Sequence, residues 1–135
     1  MVTPCLADGP YGVSGCAPIV CTQPTDMAGY TATNTELDTS AAAGFTVVPL
    51  CDAGYDGTPA VAACTTSGPY VLSGCAAIVC TTPTTVGYTF SAEQLDLGTG
   101  GAFAVTVACG ANYETTDSGP AAAACTASGV YTVTG

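Results

Sequence analysis

The sequence contains no Lys, Arg or His, whereas it has ten Asp and Glu residues and a formal net charge of −10. Surfaces that bind nucleic acid or anionic lipid use clustered Lys and Arg to neutralise phosphate groups, so the composition argues against both partners. Catalytic pairs such as Ser–His, Cys–His and Ser–Lys need a basic side chain to activate the nucleophile. We therefore expect a protein that is not an enzyme and that forms no side-chain salt bridges.

Targeting and membrane signals are also missing. The first five residues have no charged region followed by an apolar one, which a secretory leader requires. We therefore expect that a leader was removed or that the chain belongs to a longer protein. No apolar run reaches the length of a membrane span. There is no Asn-x-Ser/Thr sequon, so N-linked glycans are excluded.

Cysteine, in contrast, is abundant. A short chain with this much cysteine points to disulfides and an oxidising, extracellular compartment. Zinc is the competing interpretation, but it needs close thiolate pairs or His, and the sequence has neither. The nine cysteines are Cys5, Cys16, Cys21, Cys51, Cys64, Cys75, Cys80, Cys109 and Cys125.

The cysteines recur with a spacing near 59 residues, which indicates an internal repeat. The segment from Cys16 to Cys21 (Cys-Ala-Pro-Ile-Val-Cys) returns as the segment from Cys75 to Cys80 (Cys-Ala-Ala-Ile-Val-Cys). Residues 1–16 are then the last part of a repeat, residues 17–75 a complete repeat, and residues 76–135 a second repeat without its last Cys. We expect the natural array to extend beyond both ends.

The local patterns within a repeat predict β-strands. Phe45–Val48, Phe103–Val107 and Tyr131–Thr134 are short apolar or alternating runs rich in β-branched residues, and 17 Gly and nine Pro separate such runs. A unit of this size buries too little apolar surface to fold without staples. The expected fold is mainly β, with small disulfide-rich modules in tandem that form a rod-like array.

The cysteine spacing resembles the sushi, or complement-control-protein, module, a short β-rich unit with four cysteines. Pro24 and Gly29-Tyr30 follow the first Cys of the complete repeat, and Gly54-Tyr55 follows the second. The sequence departs from the family where Tyr70 and Tyr131 replace its Trp. The likeness covers essentially the whole chain and is closest to long secreted repeat proteins of microbial eukaryotes.

The resemblance also implies a disulfide pattern, because the family joins its first cysteine to the third and its second to the fourth. Four cysteines alone leave three connectivities open. The implied pairs are Cys21–Cys64, Cys51–Cys75 and Cys80–Cys125. Cys5, Cys16 and Cys109 are then unpaired within the chain and are candidates for interchain disulfides.

Hydroxyl side chains are plentiful, with 23 Thr and seven Ser. Thr beside Pro is typical of O-glycosylated segments, although Thr is also a favourable residue on an exposed strand face. Both interpretations stay open, and a mean hydropathy of +0.46 with 7% charged residues favours a surface covered by glycans or by neighbours. The O-glycosylation candidates are Thr22, Thr25, Thr65, Thr66, Thr81, Thr82, Thr84 and Thr85.

Other side chains are better explained by packing than by ligand binding. The recurring tyrosines suit module cores more than sugar stacking. Calcium is left open without support, because no loop presents converging oxygen ligands, and we expect no other cofactor. The side chains expected to pack within or between modules are Tyr11, Tyr70, Tyr131, Ile19, Val20, Ile78 and Val79.

The sequence favours a structural function over a recognition function. Repetition propagates one contact into a rod, and the repeats are close copies, as identical packing requires. We therefore expect a self-associating subunit of an extracellular filament, hair or surface coat. The alternative is an adhesion or recognition ectodomain that binds glycans or basic proteins, whose repeats usually diversify their exposed loops.

Overall fold

The computed structural model describes residues 2–3, 8, 12–116 and 118–135. The predictions for Cys5 and Tyr11 lie outside the described residues. In the described part the chain forms strands, turns and three disulfides and no helix, which confirms a mainly β, disulfide-rich fold. None of its segments is a helix with the length and apolarity needed to cross a bilayer.

The strands are short, with between two and eight residues each. In chain order they are β1 (Val2–Thr3), β2 (Gly12–Val13), β3 (Cys21–Thr22), β4 (Tyr30–Glu36), β5 (Thr46–Cys51), β6 (Tyr55–Ala62), β7 (Gly68–Pro69), β8 (Val71–Ala77), β9 (Cys80–Thr81), β10 (Tyr88–Gln94), β11 (Ala104–Cys109), β12 (Ala121–Ala123), β13 (Gly129–Val130) and β14 (Thr132–Thr134).

The strands pair two by two, and the second repeat uses the pattern of the first. Antiparallel pairs β4–β5 and β6–β8 correspond to β10–β11 and β12–β14, and the parallel pair β3–β7 corresponds to β9–β13. The isolated bridge Val20–Asp38 recurs as Val79–Asp96. Besides these, β1 pairs with β2 near the start of the chain.

One buried tyrosine forms the centre of each repeat. Tyr70 lies with Val47 and Cys21 in the core of the first repeat, and Phe45 packs edge-on against it at 5.8 Å between ring centroids. Tyr131 is the equivalent residue of the second repeat, where two phenylalanine rings meet it edge-on. The prediction that these two tyrosines fill module cores agrees with their burial.

Disulfides cross-link positions within each repeat that are distant in the sequence. The bonds join Cys21–Cys64, Cys51–Cys75 and Cys80–Cys125, with sequence separations of 43, 24 and 45 residues, and these are the pairs that the sushi resemblance implies. Loops of this length lose enough unfolded-state entropy to contribute about 3–4 kcal/mol per bond, which offsets the small core.

Candidate functional site

The junction, residues 75–78 with their contacts, connects the two repeats. At its start Cys75 is bonded to Cys51, and the following residues continue β8 in antiparallel pairing with the beginning of β6. At its end the N–H of Ile78 donates to the carbonyl of Gly54 (2.8 Å), while the carbonyl of Ile78 accepts the N–H of Leu97 (2.9 Å). The junction thus forms backbone hydrogen bonds to both repeats, and the Ile78 side chain is buried beside them at 8% exposure.

Gly54 and Tyr55 form the turn that receives the second repeat. Gly54 has a φ of +82°, and a Cβ there would lie 2.2 Å from the carbonyl oxygen of Leu97, so only glycine permits this approach. The Tyr55 ring lies between Gly29 of the first repeat and Gly98 of the second, at 2.7 and 2.9 Å from the positions their Cβ atoms would take. The Tyr55 ring therefore contacts the first repeat along one edge and the second repeat along the other.

The second repeat has a corresponding turn, in which Asn112 takes a left-handed conformation as Gly54 does. We call this the acceptor surface: Cys109, Asn112 and Tyr113, the counterparts of Cys51, Gly54 and Tyr55, together with the cavity beside them. The Cys109 thiol is free and half-buried, and Tyr113 is 56% exposed. The cavity measures about 210 Å³ and is lined by Val86, Gly87, Tyr88, Cys109, Tyr113, Glu114 and Gly135.

The tyrosine that closes the junction has a counterpart at the acceptor surface. In the first repeat, the hydroxyl of Tyr30 accepts the N–H of Cys75 at 3.0 Å. In the second repeat, the hydroxyl of Tyr88 donates to the carbonyl of Gly135 at 2.6 Å. Tyr88 therefore contacts Gly135, the counterpart of Gly74, whereas Tyr30 contacts Cys75, one position further along its repeat.

The start of the first repeat contains the counterparts of the junction residues. Cys16 is free and exposed. Three residues later the carbonyl of Ile19 accepts the N–H of Thr39 at 2.9 Å, as Ile78 does from Leu97. Ile19 is 36% exposed, against 8% for Ile78, so its side chain has less cover than its counterpart.

The two linker valines lie on the outside of the chain. Val20 and Val79 are 42% and 43% exposed. Their backbone amides form hydrogen bonds instead: the N–H of Val20 donates to the hydroxyl of Ser67, and the N–H of Val79 donates to that of Ser128. Sequence reasoning missed these serines, although their equal placement after the third cysteine of each repeat was a usable signal.

Several carboxylates accept hydrogen bonds within local turns, and one accepts a hydrogen bond from a buried tyrosine. Asp38 accepts bonds from the hydroxyl and amide of Ser40, and these lower its pKa. The hydroxyl and amide of Thr99 lower the pKa of Asp96 in the same way. Among the residues with described positions, no three Cys, Asp or Glu side chains gather as a metal-binding group.

The carboxylate of Glu93 accepts a hydrogen bond from the hydroxyl of buried Tyr131 at 2.8 Å. In the first repeat, the hydroxyl of Tyr70 donates instead to the uncharged side-chain amide oxygen of Asn34 at 2.9 Å. Burial, together with the hydrogen bond and charge of Glu93, raises the pKa of Tyr131 to about 12.

All eight threonines singled out for O-glycosylation are exposed. One of them, Thr82, donates its hydroxyl to Glu93 at 2.8 Å, so its oxygen is already engaged within the repeat.

No protein-family model matches the chain, and comparisons with curated proteins and with solved structures return no match.

Proposed function

We propose that the protein is a structural subunit of an extracellular filament, hair or surface coat built from sushi-like repeats. The observation that supports this proposal is the equivalence of the two repeats at the level of single contacts. The parallel pair Cys21–Gly68 recurs as Cys80–Gly129. The N–H of Cys64 donates to the sulfur of Cys21 at 3.0 Å, and that of Cys125 to Cys80 at 3.1 Å.

Equivalence of this kind suits a fibre because an identical unit can repeat an identical contact without limit. The junction supplies such a contact from a disulfide, a strand pairing and one buried isoleucine, and none of these depends on unlike charges. Three disulfides are also the staples expected of a small secreted unit, which supports an extracellular location.

The exposed threonines support O-linked glycans as part of the same coat. A surface with 7% charged residues and a mean hydropathy of +0.46 needs either sugars or neighbouring subunits to cover it. Intact mass of the native protein before and after chemical removal of O-glycans tests this part, since an unchanged mass contradicts it.

Negative-stain electron microscopy of the native material tests the main proposal. We expect filaments or sheets with a regular repeat along their length. Monodisperse particles at the concentrations found in the source would contradict a structural role.

The alternative, a recognition ectodomain, needs exposed aromatic faces or diversified loops, and the described tyrosines give it little support. Tyr70 and Tyr131 are buried and hydrogen-bonded. Tyr30 lines a groove of about 370 Å³, and its hydroxyl accepts a hydrogen bond from the N–H of Cys75. Among the tyrosines that the structure describes, Tyr113 has the most exposed ring, and it belongs to the acceptor surface.

A further inference from the structure

We infer that the Cys51–Cys75 disulfide is a site of exchange with small-molecule thiols, and that its opening releases the junction while both repeats stay folded. The other two disulfides of the described chain resist the same thiols. Those two are Cys21–Cys64 and Cys80–Cys125. Exchange at the junction goes beyond the proposed function, because it requires no assembly of copies.

Burial separates the three disulfides into two kinds. Cys21 and Cys80 are each 1% exposed, and each is bonded to a half-buried cysteine. In the Cys51–Cys75 bond, both cysteines are half-buried. A small thiol can therefore approach the Cys51–Cys75 bond from either end, whereas it can approach each of the other bonds from one end only.

The sulfur that leaves during exchange distinguishes the bonds further. Attack on one sulfur places negative charge on the other. If a thiol attacks Cys64, this charge appears on Cys21, where water has almost no access and an incompletely paired charge is costly. The N–H of Cys64 donates to the Cys21 sulfur at 3.0 Å, but one donor does not replace a hydration shell. Attack on Cys125 meets the same cost at Cys80.

The junction bond leaves its charge in a better place. Whether the thiol attacks Cys51 or Cys75, the departing sulfur belongs to a half-buried residue that water reaches. The structure gives neither of these sulfurs a hydrogen-bond donor among the described residues, so water is the partner that solvates the thiolate. Exchange at this bond is therefore the least hindered of the three.

The repeats keep their own staples when the junction bond opens. Cys51–Cys75 closes a loop of 24 residues, against 43 and 45 for the other two bonds. A shorter loop restricts the unfolded chain less, so the loss of this bond costs the least folding free energy. The first repeat still holds Cys21 beside Tyr70 and Val47 in its core.

The end of β8 is the part that loosens. Without the disulfide, residues 75–77 are held to the first repeat by their pairing with β6 and by the hydroxyl of Tyr30, which accepts the N–H of Cys75 at 3.0 Å. These contacts lie at the end of a strand, where local opening costs the least free energy. The junction then gains freedom while the rest of β8 stays paired.

The exchange proceeds in two balanced steps. A thiolate attacks one protein sulfur and forms a mixed disulfide, while the other cysteine leaves as a thiolate and takes up a proton. A second thiolate then attacks the small-molecule sulfur of the mixed disulfide and releases the first cysteine. Two small thiols are oxidised to one disulfide, and the protein bond gains two electrons and two protons.

The test uses the full, unmodified chain after its free thiols have been blocked with N-ethylmaleimide. Reduced glutathione is added for graded times, and isotopically heavy N-ethylmaleimide then stops the exchange. Digestion with Glu-C, which is suitable because the chain has no site for trypsin, followed by mass spectrometry locates the heavy label and any glutathione adduct.

We expect Cys51 and Cys75 to be modified at least about tenfold sooner than the cysteines of the other two disulfides. Modification of Cys64 or Cys125 at the same rate overturns the inference. So does resistance of all three bonds to glutathione until the chain unfolds.

Hydrogen exchange of two amides measures the junction itself. The N–H of Ile78 donates to Gly54 across the junction at 2.8 Å, and the N–H of Cys80 donates to Leu95 within the second repeat at 2.9 Å. After the glutathione step, the Ile78 amide should exchange about tenfold faster while the Cys80 amide stays protected. Nuclear magnetic resonance resolves both amides. Equal acceleration at both, or none at Ile78, overturns release of the junction between folded repeats.

A double variant, Cys51→Ser with Cys75→Ser, provides a control that needs no reductant. Its Ile78 amide should exchange as fast as in the glutathione-treated chain, and glutathione should produce no further change. Its Cys80 amide should stay protected, which checks that the second repeat is folded. An Ile78 amide as protected as in the unmodified chain would show that this disulfide does not hold the junction and would overturn the inference.

Discussion

At the residue scale, substitution of Gly54 and of Gly44 distinguishes the cost of a strained backbone from the cost of a steric clash. Both adopt left-handed conformations, with φ of +82° and +71°, where an L side chain costs about 1–2 kcal/mol. A Cβ on Gly44 would meet nothing within 4 Å, whereas one on Gly54 would lie 2.2 Å from the backbone of Leu97. The two positions form a matched pair for testing the junction.

We expect Gly44→Ala to lower the free energy of unfolding by about 1–2 kcal/mol and Gly54→Ala to lower it by about 1–3 kcal/mol more. The additional loss arises because the Gly54–Leu97 approach must open. Denaturant unfolding with disulfides intact measures both. Equal losses for the two variants would show that the junction contributes nothing through this turn.

Tyr131 provides a second test at the residue scale, because its hydroxyl donates to a carboxylate. Its pKa of about 12 lies above the value near 10 of an unfolded tyrosine. The stability that this tyrosine contributes is therefore fully present below pH about 10 and is lost as the pH rises towards 12. Glu93→Gln should lower this pKa, since an uncharged acceptor does not repel the phenolate.

Absorbance of phenolate as a function of pH measures the effect. The highest-pH ionisation should shift downward in Glu93→Gln. Glu114→Gln, which removes the same charge from an exposed site, is the control and should leave that ionisation in place. A shift of equal size in both variants would assign the effect to net charge rather than to the Glu93–Tyr131 contact.

At the scale of the elements, the register of β8 against β6 decides where proline is tolerated. Ala77 faces Tyr55 in a non-hydrogen-bonded pair, and the alternation of antiparallel pairs makes Ala76–Asp56 the hydrogen-bonded one. The natural Pro18 stands at the position that corresponds to Ala77.

Ala77→Pro should therefore cost less than about 1 kcal/mol, whereas Ala76→Pro should cost about 1–3 kcal/mol through a lost hydrogen bond that leaves a carbonyl unpaired. Thermal unfolding of the two variants compares them. A greater loss for Ala77→Pro would contradict the register of the junction.

The predicted segments do form β-strands, but the strands begin at different residues from those predicted. β5 begins at Thr46 rather than Phe45, and β14 begins at Thr132 rather than Tyr131. In both places an aromatic ring packs into the core just before the strand starts. Composition and alternation predict that a strand exists, but core packing decides where it begins.

At the scale of the whole molecule, the absence of basic residues limits the interactions that could hold copies together in the proposed assembly. Identical copies with ten acids and no Lys or Arg repel each other at neutral pH, and their cohesion must come from disulfides, backbone pairing and apolar contacts. Added salt screens only repulsion in such an assembly.

We expect native assemblies to remain intact when salt is raised from about 0.05 M to about 1 M, where the screening length falls from more than 10 Å to about 3 Å. Sedimentation of the material in each buffer measures this, and addition of a reductant is the control that should release subunits. Release by salt alone would reveal cationic bridges or partners that the sequence does not contain.

The sequence by itself determined the repeat, the β character and the cysteine positions, because these follow from spacing, strand propensity and composition. It also placed Tyr70 and Tyr131 in the cores, since aromatic residues recur there at fixed distances from cysteines. Only the tertiary structure decided the junction: that Tyr55 lies between two glycines from different repeats, that Gly54 has no room for a Cβ, and that Cys109 faces a cavity. These properties depend on residues distant in the chain meeting at one point, and periodicity along a sequence carries no record of such contacts.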